Sequence, residues 1–186
     1  MTGLLLAAVL VSYLLGALSP ASMLARRRGV DLRQVGSGNP GASNAGRALG
    51  RRTGVVVAVL DVAKGAVPAA VFGALDHRAG LVAGLAAVVG HITSPFLRGR
   101  GGKGVATAAG AILGVQPFWL PVVLLVWGVS LAVTRWIALA SVTAAASVLV
   151  LAVLAGQDRL WAGLLAVVVI ARHRRNLTAG RTAAAR

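Results

Sequence analysis

Apolar runs of membrane-spanning length recur along this chain almost from end to end. A segment of about 20 such residues is stable as a helix through a bilayer, where every backbone N–H and C=O must find its partner within the segment. The runs cover 3–25, 54–75, 79–97, 104–115, 117–134, 137–155 and 158–171. With 58% hydrophobic and only 12% charged residues among 186, the chain could not hide this surface in a water-soluble globule. The first run is too long for the apolar region of a signal peptide and has no basic stretch before it, so it is read as retained.

The stretch 104–134 is too long for one ordinary span, and charge decides how it divides. Two crossings there, with Gln116-Pro117 as the turn, give seven in all. With the N-terminus outside, the inner face then receives the arginines at 26–28, 33, 47, 51–52, 98 and 100, together with Lys103, Arg135 and a basic tail from Arg172 through Arg181 to Arg186. Only Arg78 and Arg159 stay outside, and Lys64 falls within a span. Six crossings would move Arg135 and the tail outward, against the positive-inside rule. The expectation is therefore an all-α integral membrane protein, a single polytopic membrane domain over 1–186 with seven transmembrane helices, one of them, 104–115, short. The net charge of +15 then belongs to loops facing an anionic leaflet and membrane lipids, with no nucleic acid as partner.

Between the first two runs lies Gly36-Ser37-Gly38-Asn39-Pro40-Gly41-Ala42-Ser43-Asn44-Ala45-Gly46-Arg47, read as a loop, which has almost nothing to offer a core. Its assets are backbone amides, hydroxyls, carboxamides and a guanidinium. Glycines let successive amides converge on one anion, and Ser37, Asn39, Ser43, Asn44 and Arg47 add donors around it. The same Ser and Asn side chains also suit the satisfaction of a turn's own backbone. A second loop, Gly99-Arg100-Gly101-Gly102-Lys103-Gly104, has the same character. Lys103 stands out because the chain uses arginine seventeen times and lysine only there and at Lys64. A compact ammonium among glycines is a good phosphate clamp.

Cysteine is absent, which removes disulfides, thiolate catalysis and thiolate-bound metals. Glutamate is absent too, and the acids are Asp31, Asp61, Asp76 and Asp158, few places for a carboxylate pair to act. Asp61 and Lys64, at i and i+3 in an apolar run, are expected to pair, since an unpaired charge there costs about 2.5–3.5 kcal/mol. The pair serves either as structural support or as a lining of the site. His91, near Pro95 at the inner end of its run, reads as a buried hydrogen-bonding residue and His77 as a solvated one on the outer side. His173 and Asn176, also at i and i+3, can present an imidazole and a carboxamide to one point at the membrane surface. Both glycine loops and the segment 172–176 fall on the inner face, so one site can draw on all three.

Taken in order, Gly36 to Asn44 with Arg47, then Asp61-Val62-Ala63-Lys64-Gly65, then Gly90-His91 leading to Gly101-Gly102-Lys103-Gly104-Val105-Ala106-Thr107, and finally Arg172-His173 with Asn176, resemble the successive signatures of the bacterial acyl-phosphate:glycerol-3-phosphate acyltransferases, the PlsY family. The resemblance runs from about residue 13 to 176. It implies transfer of a fatty acyl group from acyl phosphate to the 1-hydroxyl of glycerol 3-phosphate in phospholipid synthesis, in a bacterial inner or plasma membrane with the site facing the cytoplasm. It also implies His173 and Asn176 as active-site residues. Ser37, Gly38, Asn39, Ser43, Asn44, Arg47, Gly101, Gly102, Lys103 and Gly104 would hold phosphate, with Asp61, Lys64 and His91 in support. Acyl phosphate is a mixed anhydride with a good leaving group, so positioning and charge stabilisation suffice and neither cofactor nor metal is required. The chain departs from the family pattern at Arg175, where an acid usually precedes the Asn, in the missing acid shortly after, and at Ala138, commonly a serine. Two other readings stay open: a family member with altered catalysis, and a transporter of a phosphorylated metabolite, which an internal inverted repeat would favour and for which none is found.

Overall fold

The computed structural model describes residues 1–178, so Arg181 and Arg186 of the basic tail lie outside the described residues. Among the described residues every regular element is helical. They form α1 (Thr2–Ala17), α2 (Pro20–Arg26), α3 (Ala42–Leu49), α4 (Arg51–Leu75), α5 (His77–Thr93), α6 (Val105–Val115), α7 (Leu120–Thr134), α8 (Ile137–Ala155) and α9 (Arg159–Thr178), with single 3₁₀ turns at Pro95–Leu97 and Pro117–Trp119. Among the described residues five segments are long and apolar enough to cross a membrane: Thr2–Arg26, Arg51–Leu75, His77–Leu97, Pro117–Thr134 and Ile137–Ala155. The remaining two expected crossings correspond to α6, which is shorter, and to α9, whose C-terminal part carries Arg172, Arg174 and Arg175.

Two compact units are present, 1–115 and the described residues from 116 to 178. In the first, α4 packs on α6, α5 and α3, and α1 packs on α5. These contacts are made backbone to backbone. A Cβ on Gly65 would fall on the Thr107 carbonyl of α6, and one on Gly110 on the Val62 carbonyl of α4. Small residues at such crossings suit helices in lipid, where close van der Waals approach replaces the hydrophobic drive. The opposite face of α4 presents Val55, Val59, Val67 and Val71, all exposed, as lipid-facing residues should be.

The run expected as one span over 3–25 is divided. Pro20 has no N–H to continue a helix and disfavours helical dihedrals at Ser19, so α1 stops and α2 restarts with the Ser19 hydroxyl accepting from the Ser22 amide at 3.3 Å. Likewise 79–97 ends as a helix at Thr93 and continues as the Pro95–Leu97 turn. The expected loop 36–47 is corrected more substantially, because its second half is the start of α3. Ala42, Ala45 and Ala48 favour helix there, and Gly46 costs little because its Cα packs against Gly54 of α4. Ala45 joins Ala21, Ala25, Leu32 and Val57 in the small core that fixes α3.

In the second unit α8 packs on α7 and on α9. Gln116, ahead of α7, donates to the Asp158 carboxylate ahead of α9 at 2.6 Å. The buried stripe of α9 is Trp161, Leu165, Val169 and His173, one residue every four, so the last turn turns a histidine inward where the preceding turns place apolar groups.

Candidate functional site

In the first glycine-rich segment the chain turns at Gly36 (φ +57°) and Gly38 (φ +66°), left-handed backbone that glycine adopts without strain. Asn44, 1% exposed in the first turn of α3, reaches back across the segment. Its Oδ1 accepts the Ser37 N–H at 3.1 Å, and its Nδ2 donates to the carbonyls of Leu32 at 3.0 Å and Val35 at 2.9 Å. Both of its donors are thus engaged in shaping the loop, which is the turn-satisfying role. Ser37, Ser43 and Arg47 are exposed, with Gly38 and Asn39 half-buried, and the Arg47 guanidinium stands beside Gly36. Arg33, not singled out from sequence, ties this segment to the 3₁₀ turn after α5 by donating from Nη2 to the Leu97 carbonyl at 2.8 Å.

The second glycine loop is built differently. The amides of Gly101 and Gly102, expected as anion donors, instead donate to the carbonyls of Ile92 and His91, both at 3.0 Å. They close the C-terminal end of α5, whose last carbonyls have no partner within the helix. A Cβ at Gly101 would fall on the His91 carbonyl and one at Gly102 on the His91 Nε2, so the glycines permit contact with the helix end. Half-buried Lys103 follows, and buried Gly104 (φ +82°) leads into α6.

Behind this loop lies a buried polar cluster. Asp61 and Lys64 of α4 form the expected pair, with Nζ 3.0 Å from Oδ1 and side chains 4% and 9% exposed. Lys64 also donates to the Leu18 carbonyl at 2.6 Å, at the break between α1 and α2 where no helical N–H serves that oxygen. His91, expected as a buried hydrogen-bonding residue, places Nδ1 3.6 Å from Asp61 Oδ1 and 3.2 Å from Thr107 Oγ1. Three helices and the α1/α2 break thereby meet around one carboxylate, which offsets the cost of burying charge at this depth. Thr107 and Leu18 were missed. Thr107 could have been suspected as the last residue of the Gly101–Thr107 signature, whereas nothing in the sequence marks a leucine carbonyl.

In the second unit His173 is 1% exposed and its Nδ1 lies 2.8 Å from the Val169 carbonyl one turn earlier. A carbonyl can only accept, so Nδ1 carries a proton, and in the neutral ring Nε2 is the nitrogen with a lone pair. Half-buried Asn176 follows one turn on along α9, and Arg174 and Arg175 are exposed. Ala138 is buried in the first turn of α8, with no hydroxyl to contribute.

Helices of membrane-crossing length, joined by basic glycine loops and holding a buried ionisable cluster, define an integral membrane protein. The comparisons with known proteins are specific. Residues 6–182 match the family described as glycerol-3-phosphate acyltransferase, and the chain belongs to that family. It is 39% identical over 174 residues to the glycerol-3-phosphate acyltransferase of Geotalea daltonii, covering 91% of this chain and 90% of that one. With the Thermus thermophilus enzyme of the same name it shares 42% identity over 181 residues, covering 91% and 87%. Its fold matches the crystal structure of PlsY (YgiH), an integral membrane glycerol 3-phosphate acyltransferase, in its glycerol 3-phosphate form, with a TM-score of 0.92 and 38% identity over 98% of this chain and 94% of that one. The lysophosphatidic acid form of the same protein matches with a TM-score of 0.89.

Proposed function

We propose that this chain transfers a fatty acyl group from acyl phosphate to the 1-hydroxyl of glycerol 3-phosphate, releasing 1-acylglycerol 3-phosphate and inorganic phosphate in phospholipid synthesis. The observation that carries this is the match over 98% of the chain to an acyltransferase solved with glycerol 3-phosphate. Acylation of glycerol 3-phosphate follows from family membership, and acyl phosphate is the donor that the chemistry favours. The donor is already activated, and the chain has no cysteine to relay an acyl group.

Ser37, Ser43, Arg47 and Lys103 hold the phosphates, and Gly38, Asn39, Asn44, Gly101, Gly102 and Gly104 shape the two loops that present them. His173 and Asn176 act on the glycerol hydroxyl. Asn176 orients it, and the Nε2 lone pair, fixed by the Nδ1–H bond to Val169, takes its proton. The hydroxyl oxygen forms a bond to the acyl carbonyl carbon, the bond from that carbon to the phosphate oxygen breaks, and phosphate leaves with the electron pair. The chain crosses the membrane seven times with the loops and α9's end on the cytoplasmic side of a bacterial plasma membrane.

Purified protein supplied with acyl phosphate and labelled glycerol 3-phosphate should yield labelled 1-acylglycerol 3-phosphate. Phosphate binding without transfer would favour the altered-catalysis or transport reading. Orientation is tested separately in this cysteine-free chain: Ser43→Cys and Arg135→Cys should be shielded from an impermeant thiol reagent in intact cells while Asp76→Cys reacts, and labelling of Arg135→Cys from outside would remove the seven-crossing arrangement.

A further inference from the structure

The imidazole of His91 has neighbours on both sides that belong to different parts of the chain. On its Nδ1 side stand Thr107 Oγ1 at 3.2 Å and Asp61 Oδ1 at 3.6 Å, and Asp61 is itself 3.0 Å from Lys64, so turning the ring would break the buried hydrogen bond to Thr107 and carry the imidazole away from the carboxylate. On its Nε2 side lies Gly102, so near that a Cβ there would clash with the ring nitrogen. The backbone of the same residue acts in the same sense, since the His91 carbonyl accepts the Gly102 N–H at 3.0 Å. Gly102 is therefore gripped by His91 through both side chain and backbone, and the next residue is Lys103.

We propose that His91, held in place by its hydrogen bond to Thr107 beside the Asp61 carboxylate, is a positioning residue for Lys103: it fixes the height at which the second glycine loop presents its ammonium to a substrate phosphate. The inference rests on the reading of Lys103 as a phosphate-binding residue. It assigns the buried cluster a purpose beyond satisfying its own charges. The height of the loop sets how far a cation on it can reach, and an error of about 1 Å in placement can cost on the order of 10²-fold in rate.

The test is a double-mutant cycle on KM. His91→Asn sets a carboxamide nitrogen near the present position of Nδ1, keeping a partner for Thr107 and Asp61, and removes the ring edge that abuts Gly102. It should raise, by about 10-fold, the KM for whichever of the two substrates Lys103→Ala also affects, with kcat changed less than about 3-fold. In the Lys103→Ala background the same substitution should change that KM by less than about 2-fold, because the group being positioned is gone. Thr107→Val, which keeps the side-chain shape, should give a smaller rise that also disappears in that background, and it carries the test if His91→Asn does not fold. Equal factors with and without Lys103, or a fall in kcat with KM unchanged, would overturn the proposal while leaving the role of Lys103 intact. If Lys103→Ala by itself leaves both KM values unchanged, the reading of Lys103 falls and the positioning role falls with it.

Discussion

The two units carry different equipment and build it by different means. In residues 1–115 helix-borne polar groups are joined to irregular backbone: the turns at Gly36 and Gly38, the break at Leu18, and the strap of Gly101 and Gly102 across the end of α5. In the second unit His173 and Asn176 sit on a continuous helix, and the imidazole is bonded to its own helix through the Val169 carbonyl. Holding phosphate calls for several donors around a tetrahedral anion, which loops supply. Directing one lone pair at one hydroxyl calls for a fixed tautomer and a fixed ring, which a buried helical position supplies. The proposed function accordingly gives binding to the first unit and proton handling to the second.

The largest expected effect lies in the second unit. His173→Ala should lower kcat by about 10²–10⁴-fold in the acyl-transfer assay while leaving KM for both substrates close to that of the unaltered protein. In the first unit, Lys103→Ala and Arg47→Ala should each weaken use of a phosphate-bearing substrate by about 1.5–3 kcal/mol, the range of a hydrogen bond to a charged group. Lys103→Arg should rescue poorly, since a planar fork does not replace a compact ammonium. If instead His173→Ala acted on KM and the two cations on kcat, the division between units would be broken.

Asn44 sharpens the contrast inside the first unit. Asn44→Ala strips partners from the Ser37 amide and from the Leu32 and Val35 carbonyls, and should destabilise the protein by about 1–3 kcal/mol, seen as a lowered unfolding temperature in detergent. The smallest effect is expected at exposed Arg175, where Arg175→Glu, restoring the acid usual in the family, should raise turnover modestly. A loss of activity there would show that this chain's cationic α9 end is part of its working state.

What could be read from the sequence follows the same division. The apolar runs located α4, α7 and α8 to within a few residues, because a bilayer-length helix is dictated by composition alone. The Asp61–Lys64 pair was legible because i and i+3 spacing guarantees proximity on a helix. The partners of Leu18, Thr107 and Arg33 were not, since each is met through tertiary contact across many residues, and a backbone carbonyl carries no residue signature. The glycines misled in an instructive way. Gly-rich sequence read as loop hid α3, whose Gly46 exists for close packing on Gly54, and it credited the Gly101 and Gly102 amides to an anion when a helix end takes them. In lipid, glycine marks close approach of backbones as often as it marks a turn, and only the partner element tells the two apart.

The division of labour is tested most directly by calorimetric titration of glycerol 3-phosphate and of a non-hydrolysable acyl phosphate analogue into the detergent-purified protein and its His173→Ala, Lys103→Ala and Arg47→Ala variants. The account predicts that His173→Ala binds both ligands as the unaltered protein does, whereas each cation variant loses affinity for at least one of them by about 10-fold or more. His173→Ala losing as much affinity as the cation variants, or the cation variants losing none, would contradict it.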